Sequence, residues 1–344
     1  MSLGRDGPGL LLRDLEKADD PQILAVQRIV ARVAPDILLL NDFDYDFGGQ
    51  ALDVFADQLS ELGVHYPFRF ARPSNAGLAT GIDLDGDGRT GGPGDAQGFG
   101  GFAGAEGMAL LSAFPVLAGQ VRDFSGRLWR DLPGARLPVI DGQPFPSARA
   151  WDVQRLSSKG HWDVPVALPD DRVLHLLIAH ATPPVFDGPE DRNGLRNRDE
   201  IRFWTLFLDG ALDEKLSPAS PFVVLGDLNA DPHDGEGSTG AIRSLLAHPR
   251  LRDPLPESRG AVVATKVQGG GNLTQKSDPR HDTVDWDEAR TPGNLRVDYV
   301  LPSVELNVVA AGVFWPAPGE AGFDLVGTDG KVGSHHRIVW VDIK

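Results

Sequence analysis

The sequence predicts an α/β chain in which two β-sheets pack against each other and helices cover their outer faces. Three observations lead there. Short apolar runs rich in β-branched residues outnumber the segments with helical spacing. No internal repeat and no flexible linker divides the 344 residues, so a single domain over 1–344 is expected. The strand-like runs end repeatedly in polar residues, at Asn41 and Asp42, at His180, and at Asp227 and Asn229. Strand ends that meet at one sheet edge are where sites form.

The elements follow in order. Asp20 and Pro21 make a helix start, as cap and first-turn residue. Ile23, Val26, Ile29, Val30 and Val33 continue at helical spacing, and Pro35 stops the run. Residues 36–41, DILLLN, read as a strand buried on both faces. Leu52, Phe55, Leu59 and Leu62 place a second helix. Residues 71–107 are glycine-rich and irregular, and long loops of this kind are usually functional or ligand-stabilised. Strands are expected at 108–112, 121–124, 163–168 and 173–179, a helix near 198–212, a strand at 221–229 and a helix near 239–247. After a loop from about 252 to 293, three strands close the chain, at 295–301, 306–313 and 337–343.

Composition narrows the function. Hydrophobic residues are 41% and charged residues 24%, as in ordinary globular proteins. No apolar run is long enough to span a bilayer. The net charge of −16 repels polyanions and disfavours nucleic acid as a partner, short of a local basic groove or bound cations. It does not exclude a metal enzyme acting on phosphate esters, because carboxylates are what hold Mg²⁺ or Ca²⁺. Cysteine is absent, which excludes disulfides, thiolate catalysis and cysteine zinc sites. Residues 10–12 are too short for a signal-peptide core, and acidic residues follow. An exported chain trimmed of its leader would read the same, so the compartment stays open. A soluble monomer is expected.

The stretch VVLGDLNADPHD carries the chemistry. Asp227 and Asn229, read alone, make a turn. Beside the other polar strand ends they point to a site. GDLN after an apolar strand, Ile178-Ala179-His180 after another, RVDYVL at 296–301, GMALLSAFPV at 107–116, and Ser334, His336 and Arg337 at the end stand together in one chain. This set resembles the endonuclease/exonuclease/phosphatase family, over residues 10–343. The resemblance implies a four-layer sandwich of two mixed sheets with helices outside. It also implies a hydrolase of phosphate esters that depends on Mg²⁺ or Mn²⁺ and attacks in line with water. It assigns Asp42 to the metal, in the place where the family usually has Glu. Asp298 would fix the tautomer of His336, which acts as general base or as an imidazolium facing the charged transition state. Asp227 would orient or deprotonate water, and Asn229 and His180 would hydrogen-bond phosphoryl oxygens.

Two departures from the family pattern stand out. His335 takes the place of an Asp, either as a tolerated loss of an outer ligand or as a ligand for a softer metal such as Mn²⁺ or Zn²⁺. The family opens with a strand ending in Asn that helps hold the metal, whereas this sequence opens MSLGRDGPGLLLRDL. A sheet lacking its first strand, and a weakened metal site, are therefore expected.

Other residues attract attention. Asp83, Asp85, Asp87 and Gly88 form D-x-D-x-D-G, the first half of a calcium loop. Position twelve is Gly94, with Asp95 one later, so a solvated acidic turn is an equal reading. Arg192, Arg196, Arg198 and Arg202 cluster, with Arg198 and Arg202 on one helical face. Pairing with Asp191, Asp199 and Glu200 is the plainer account, and Arg198 is kept as a candidate for a substrate phosphate. Ser157, Lys159 and His161 are candidates to line the cleft, with Lys159 as a substrate contact, while His281 and Asp282 read as solvated. The acidic balance favours small phosphate esters. A nuclease is the alternative within this chemistry. A binding module that kept the fold and lost catalysis is the alternative outside it.

Overall fold

The computed structural model describes residues 2–286, 292–327 and 332–344. The strands are β1 (Ile37–Phe43), β2 (Phe68–Ala71), β3 (Gly107–Ser112), β4 (Arg122–Asp123), β5 (Val139–Ile140), β6 (Gln143–Pro144), β7 (Gly160–Ala167), β8 (Val173–His180), β9 (Phe222–Asp227), β10 (Asp298–Pro302), β11 (Val308–Val313) and β12 (Val339–Ile343). The helices are α1 (Leu10–Lys17), α2 (Pro21–Val33), α3 (Gln50–Glu61), α4 (Ala148–Val153), α5 (Arg192–Leu208), α6 (Thr239–Leu246), α7 (Arg259–Gln268) and α8 (Phe323–Val326).

Four layers result. One sheet runs β1-β3-β2 and another β10-β9-β8-β7-β4; β8 and β9 are parallel and the remaining neighbours antiparallel, so the larger sheet is mixed. Met108 and Leu110 on β3 face Trp162, Val164, Leu176 and Ile178 on β7 and β8 to fill the space between the sheets. The alternate residues of the first sheet, Leu38, Leu40, Ala109 and Leu111, turn outward onto α1–α3. The outer face of the larger sheet packs Leu177, Ala179 and Val224 against Phe203, Trp204 and Phe207 of α5. Asp20 caps α2 by accepting from the Ile23 N–H at 2.9 Å, with Pro21 in its first turn, as expected.

The first layer is interrupted. β1 pairs with β3 alone and β12 with β11 alone, so among the described residues each keeps one unpaired edge. A cavity of about 980 Å³ lies between them, lined by Ile37 and Leu39 of β1, Trp340 and Val341 of β12, and Leu176 and Leu225 of the facing sheet. The Oδ1 of Asn41, also on this lining, is buried without a hydrogen-bond partner. The sheet is open where the expected first strand would lie. Ser2 and Leu3 sit at the end of this slot: Ser2 N–H donates to Ser334 Oγ at 2.9 Å, and Leu3 N–H donates to the Asp42 carbonyl at 2.9 Å.

Several elements differ from expectation. Residues 10–17 form the amphipathic helix α1, whose Leu11 and Leu15 are buried; its short apolar run had pointed only against a signal peptide. The α5 helix begins at Arg192, earlier than 198, because the buried face includes the polar Arg196, Asn197, Asp199 and Glu200, which mask its apolar stripe. The region 252–293 is no simple loop: Ser258 caps α7 through the Ala261 N–H at 3.2 Å. Residues 287–291 of that region lie outside the described ones. β10 and β12 start later than expected, since Leu295 and His336 ahead of them each form an isolated bridge to Val284 instead.

Asp282 is not solvated but fully buried, and neither carboxylate oxygen has a hydrogen-bond partner among the described residues. Burial, reinforced by Asp231, Asp234 and Asp278, pushes its pKa to about 8. The folded protein therefore holds a proton that the unfolded chain releases above about pH 4. Its cost is absent in acid, grows as pH rises through that window, and is complete above pH 8. Asp282→Asn is expected to match the parent in denaturant stability at pH 4 and to exceed it at pH 9 by about 2 kcal/mol or more. A stability gap that does not widen with pH would rule this out.

Candidate active site

Three strand ends and one bulge build the site. Because β8 runs parallel to β9, their C-terminal residues His180 and Asp227 emerge at the same edge. Because β10 is antiparallel to β9 and in register, its first residue, Asp298, lies directly across from Asp227. Close approach of β8 and β9 depends on Gly226, at φ 143°, where a Cβ would fall 1.8 Å from the Ala179 carbonyl oxygen. The fourth group comes from the other sheet. The β1–β3 register shifts between Asn41 and Phe43, and the intervening Asp42 takes a left-handed backbone at φ 49°. Such a bulge re-aims a side chain, and Asp tolerates that conformation better than most residues. The carboxylate of Asp42 reaches 3.6 Å from His180 Nδ1.

The C-terminal turn supplies His336. Its Nδ1 donates to Asp298 at 3.0 Å and lies 3.7 Å from Asp227 Oδ2, and its ring meets the edge of Trp286. The second oxygen of the Asp227 carboxylate, Oδ1, accepts from the Asn229 N–H at 2.8 Å, and Asn229 Nδ2 donates to the Ala181 carbonyl at 2.9 Å. One hydrogen of that amide is left to meet a ligand. His180 Nε2 sits 3.5 Å from Asp227, too far for a good hydrogen bond, and its Nδ1 has no hydrogen-bond partner among the described residues.

Charge at this edge is unbalanced. Burial disfavours ionised Asp227, the opposing Asp298 and Asp42 add to that, and His336 only partly offsets them, so its pKa is raised. Burial works against the charge on His336, yet Asp298 and Asp227 prevail and lift it to about 9. His180 goes the other way: burial lowers it to about 4 despite Asp42, leaving a neutral ring. For Asp42, burial is outweighed by His180, Lys159 and His336, and its pKa lies below the ordinary carboxylate value. Ligand atoms of Asp227, Asp298 and His336 all lie within 4.8 Å of one another. Hard oxygen donors, an orphaned imidazole nitrogen and surplus negative charge are what a divalent cation would satisfy.

Residues outside the expected set hold these groups in place. Thr283 Oγ1 donates to Asp298 Oδ2 at 2.9 Å and accepts from the Val297 and Asp298 N–H groups. Glu200, fully buried, accepts from Ser158 N–H and Ser158 Oγ through one oxygen and from Thr182 N–H through the other. It thus ties the approach to β7 to the exit of β8. Asn197 Nδ2 donates to the Thr182 and Leu228 carbonyls, joining the exits of β8 and β9. In the sequence Glu200 offered itself as an arginine partner, and only its position on a helix that proved buried reveals the other role.

The remaining candidates divide. Lys159 is buried near the site, where it lowers the pKa of Asp42 and His180, and its ammonium pairs with Glu106. Ser157 and His161 are packed inside: Ser157 Oγ donates to His161 Nδ1 at 2.6 Å, and His161 Nε2–H donates to the Glu200 carbonyl at 3.0 Å. His335 does not join the site. Adjacent residues of an extended segment face opposite ways, and its exposed ring donates to the Asp285 carbonyl at 2.8 Å. Arg198 does not join it either, for it pairs with Asp199 on the far side of α5, in the groove against α6. In the glycine-rich loop, carboxylate oxygens of Asp83, Asp85 and Asp95 lie within 4.8 Å of one another, whereas Asp87 turns away to accept from the Arg89 N–H. The third carboxylate of this group is therefore Asp95, where Asp87 was expected.

A two-sheet sandwich with an Asp–His pair and converging acids at one edge defines a phosphoesterase-type fold. The sequence profile of the Endonuclease/Exonuclease/phosphatase family matches residues 12–329, and the chain belongs to that family. Its members hydrolyse phosphoester bonds and generally use a divalent metal. Among solved structures, an endonuclease/exonuclease/phosphatase from Beutenbergia cavernae DSM 12333 matches at TM-score 0.52 and 18% identity, covering 99% of this chain and 68% of that one. A protein of the same family from Leptotrichia buccalis C-1013-b matches at TM-score 0.50 and 14% identity, covering 96% and 94%. Both likenesses support the fold alone. No curated protein matches the chain.

Proposed function

We propose that this protein is a divalent-metal-dependent hydrolase of small phosphate esters. The observation that carries this reading is the Asp227–Asp298 pair facing His336, with His180 and Asp42 closing the same pocket. Asp42 would hold Mg²⁺ or Mn²⁺ from beside His180, at the edge where the ligand atoms of Asp227, Asp298 and His336 converge. When bound, the cation offsets phosphoryl charge and lowers the cost of attack by water. The other steps belong to the chain. Asp298 keeps Nδ1–H of His336 turned inward, so Nε2 is left to face the phosphoryl group. His180 and the free amide hydrogen of Asn229 contact phosphoryl oxygens. Asp227, fixed by the Asn229 N–H, takes the proton as the water oxygen bonds to phosphorus. The P–O bond to the leaving alcohol then breaks, and the alcohol oxygen takes the Nε2 proton of the His336 imidazolium, so the proton gained by Asp227 from water is matched by the one His336 gives up.

The net charge of −16 favours small esters over nucleic acid as substrate. Asp83, Asp85 and Asp95 are read as a calcium site that orders the glycine-rich loop. The interrupted sheet supports a weakened centre: Asn41 Oδ1 has no partner among the described residues, and the open slot runs past Asn41 and Asp298.

Three outcomes are expected. Hydrolysis of a chromogenic phosphomonoester should exceed that of a diester and of supercoiled plasmid, should need Mg²⁺ or Mn²⁺, and should fall about a thousandfold in His336→Ala. Equal rates in parent and variant would sink the enzymatic reading and favour a binding module. A version extended ahead of Ser2 by a designed apolar strand should raise metal affinity and turnover about tenfold; unchanged values would show that the slot does not limit the site. Calcium should raise the melting temperature of the parent and of Asp87→Asn but not of Asp95→Asn. The same rise in all three would exclude this loop as the calcium site.

A further inference from the structure

Outside the catalytic edge, the groove between α5 and α6 forms a cavity of about 400 Å³. Arg136, Arg198, Arg202, Thr205, Ser238 and Ser244 line it, and none of them belongs to the site above. We propose that this groove binds a phosphoryl dianion, either free phosphate or the distal phosphate of a larger ligand.

The argument begins with charge. One carboxylate, Asp199, faces three guanidinium groups. Its Oδ1 is shared by Arg198 and by Arg202, the latter at 3.0 Å. Its Oδ2 is already used by Trp129 Nε1–H at 2.9 Å and by the Arg136 backbone N–H at 2.8 Å. Asp199 is fully buried and has no capacity left for the Arg136 side chain. That guanidinium makes no hydrogen bond among the described residues, although it stands close enough to repel Arg198. Burial holds Arg198 below the usual arginine range, and Arg202 and Arg136 oppose the pull of Asp199. In a chain of net charge −16, this is a local excess of two positive charges over the one buried acid.

The neutral groups fit the same ligand. Thr205 Oγ1 is a buried atom with no hydrogen-bond partner among the described residues. The α6 helix starts in the groove; the Ser238 side chain caps none of its N–H groups, the Ala241 N–H is taken by the Ser238 carbonyl, and those of Thr239 and Gly240 have no partner among the described residues. Guanidinium forks, hydroxyls and helix-start amides around one cavity match the geometry of phosphoryl oxygens. A carboxylate ligand would leave part of this donor set unused.

The test is hydrogen exchange on the full chain, with Arg136→Gln as the variant because that side chain is exposed and holds no structural bond. Inorganic phosphate should slow exchange of the first-turn amides of α6 in the parent. Arg136→Gln should weaken the apparent affinity about tenfold while leaving the melting temperature in chloride unchanged. His336→Ala should keep the protection, which separates this groove from phosphate held at the catalytic edge. Protection by phosphate assigns a free dianion; protection only by a 5′-phosphorylated oligonucleotide assigns a distal phosphate. No protection with either probe, or equal protection by chloride at matched ionic strength, would overturn the proposal.

Discussion

Asp227 and Asp298 stand opposite each other on neighbouring antiparallel strands, and like charges in that position repel. Both are buried, so water cannot relieve them. Either Asp227 holds a proton or something positive shares the edge. His336 meets this need in part, since its ring gains a proton by hydrogen bonding to Asp298. A cation would meet it more fully. The rest of the molecule is arranged around this imposed strain. The strands fix the acids in register, and the sheets bring Asp42 over from the other side. Thr283 then commits Asp298 to one orientation.

The α5 helix is the second support. Its inward polar residues do what apolar packing cannot, because they bond loop backbones that emerge from three strands. Glu200 spans the loops at Ser158 and Thr182, and Asn197 spans those at Thr182 and Leu228. A carboxylate buried for this purpose costs desolvation, and burial raises its pKa even against the bonds it accepts. Its outward residues, Arg198 and Arg202, face a different surface. One helix thus separates the edge of paired acids from a positively charged groove.

The legible part of the sequence was the part written in local patterns. Apolar runs named the strands that meet at the site, and GDLN, IAH and the final histidine pair marked their ends. The obscure part depended on long-range burial. Asp282 looks solvated in a polar stretch, and only the fold shows that it is enclosed. Asp95 falls outside the regular calcium-loop spacing, yet the turn at residues 93–95 carries it back to Asp83 and Asp85. Arg198 and His335 sit in chemically suggestive company along the chain but face away from it in space. A helix face or an alternating strand decides direction, and residue type does not.

The separation of the site's parts along the chain has a consequence for biosynthesis. Ser2 meets Ser334 across 332 positions, and Asp298 waits for His336. A ribosome would release the acids long before the imidazole that steadies them. The nascent chain can build its larger sheet through β9 while the edge of that sheet still lacks β10 and the terminal turn. The charge balance of this edge is therefore completed only once the segment around His336 has been made, and a chain terminated before it would carry the acids without their counterweight.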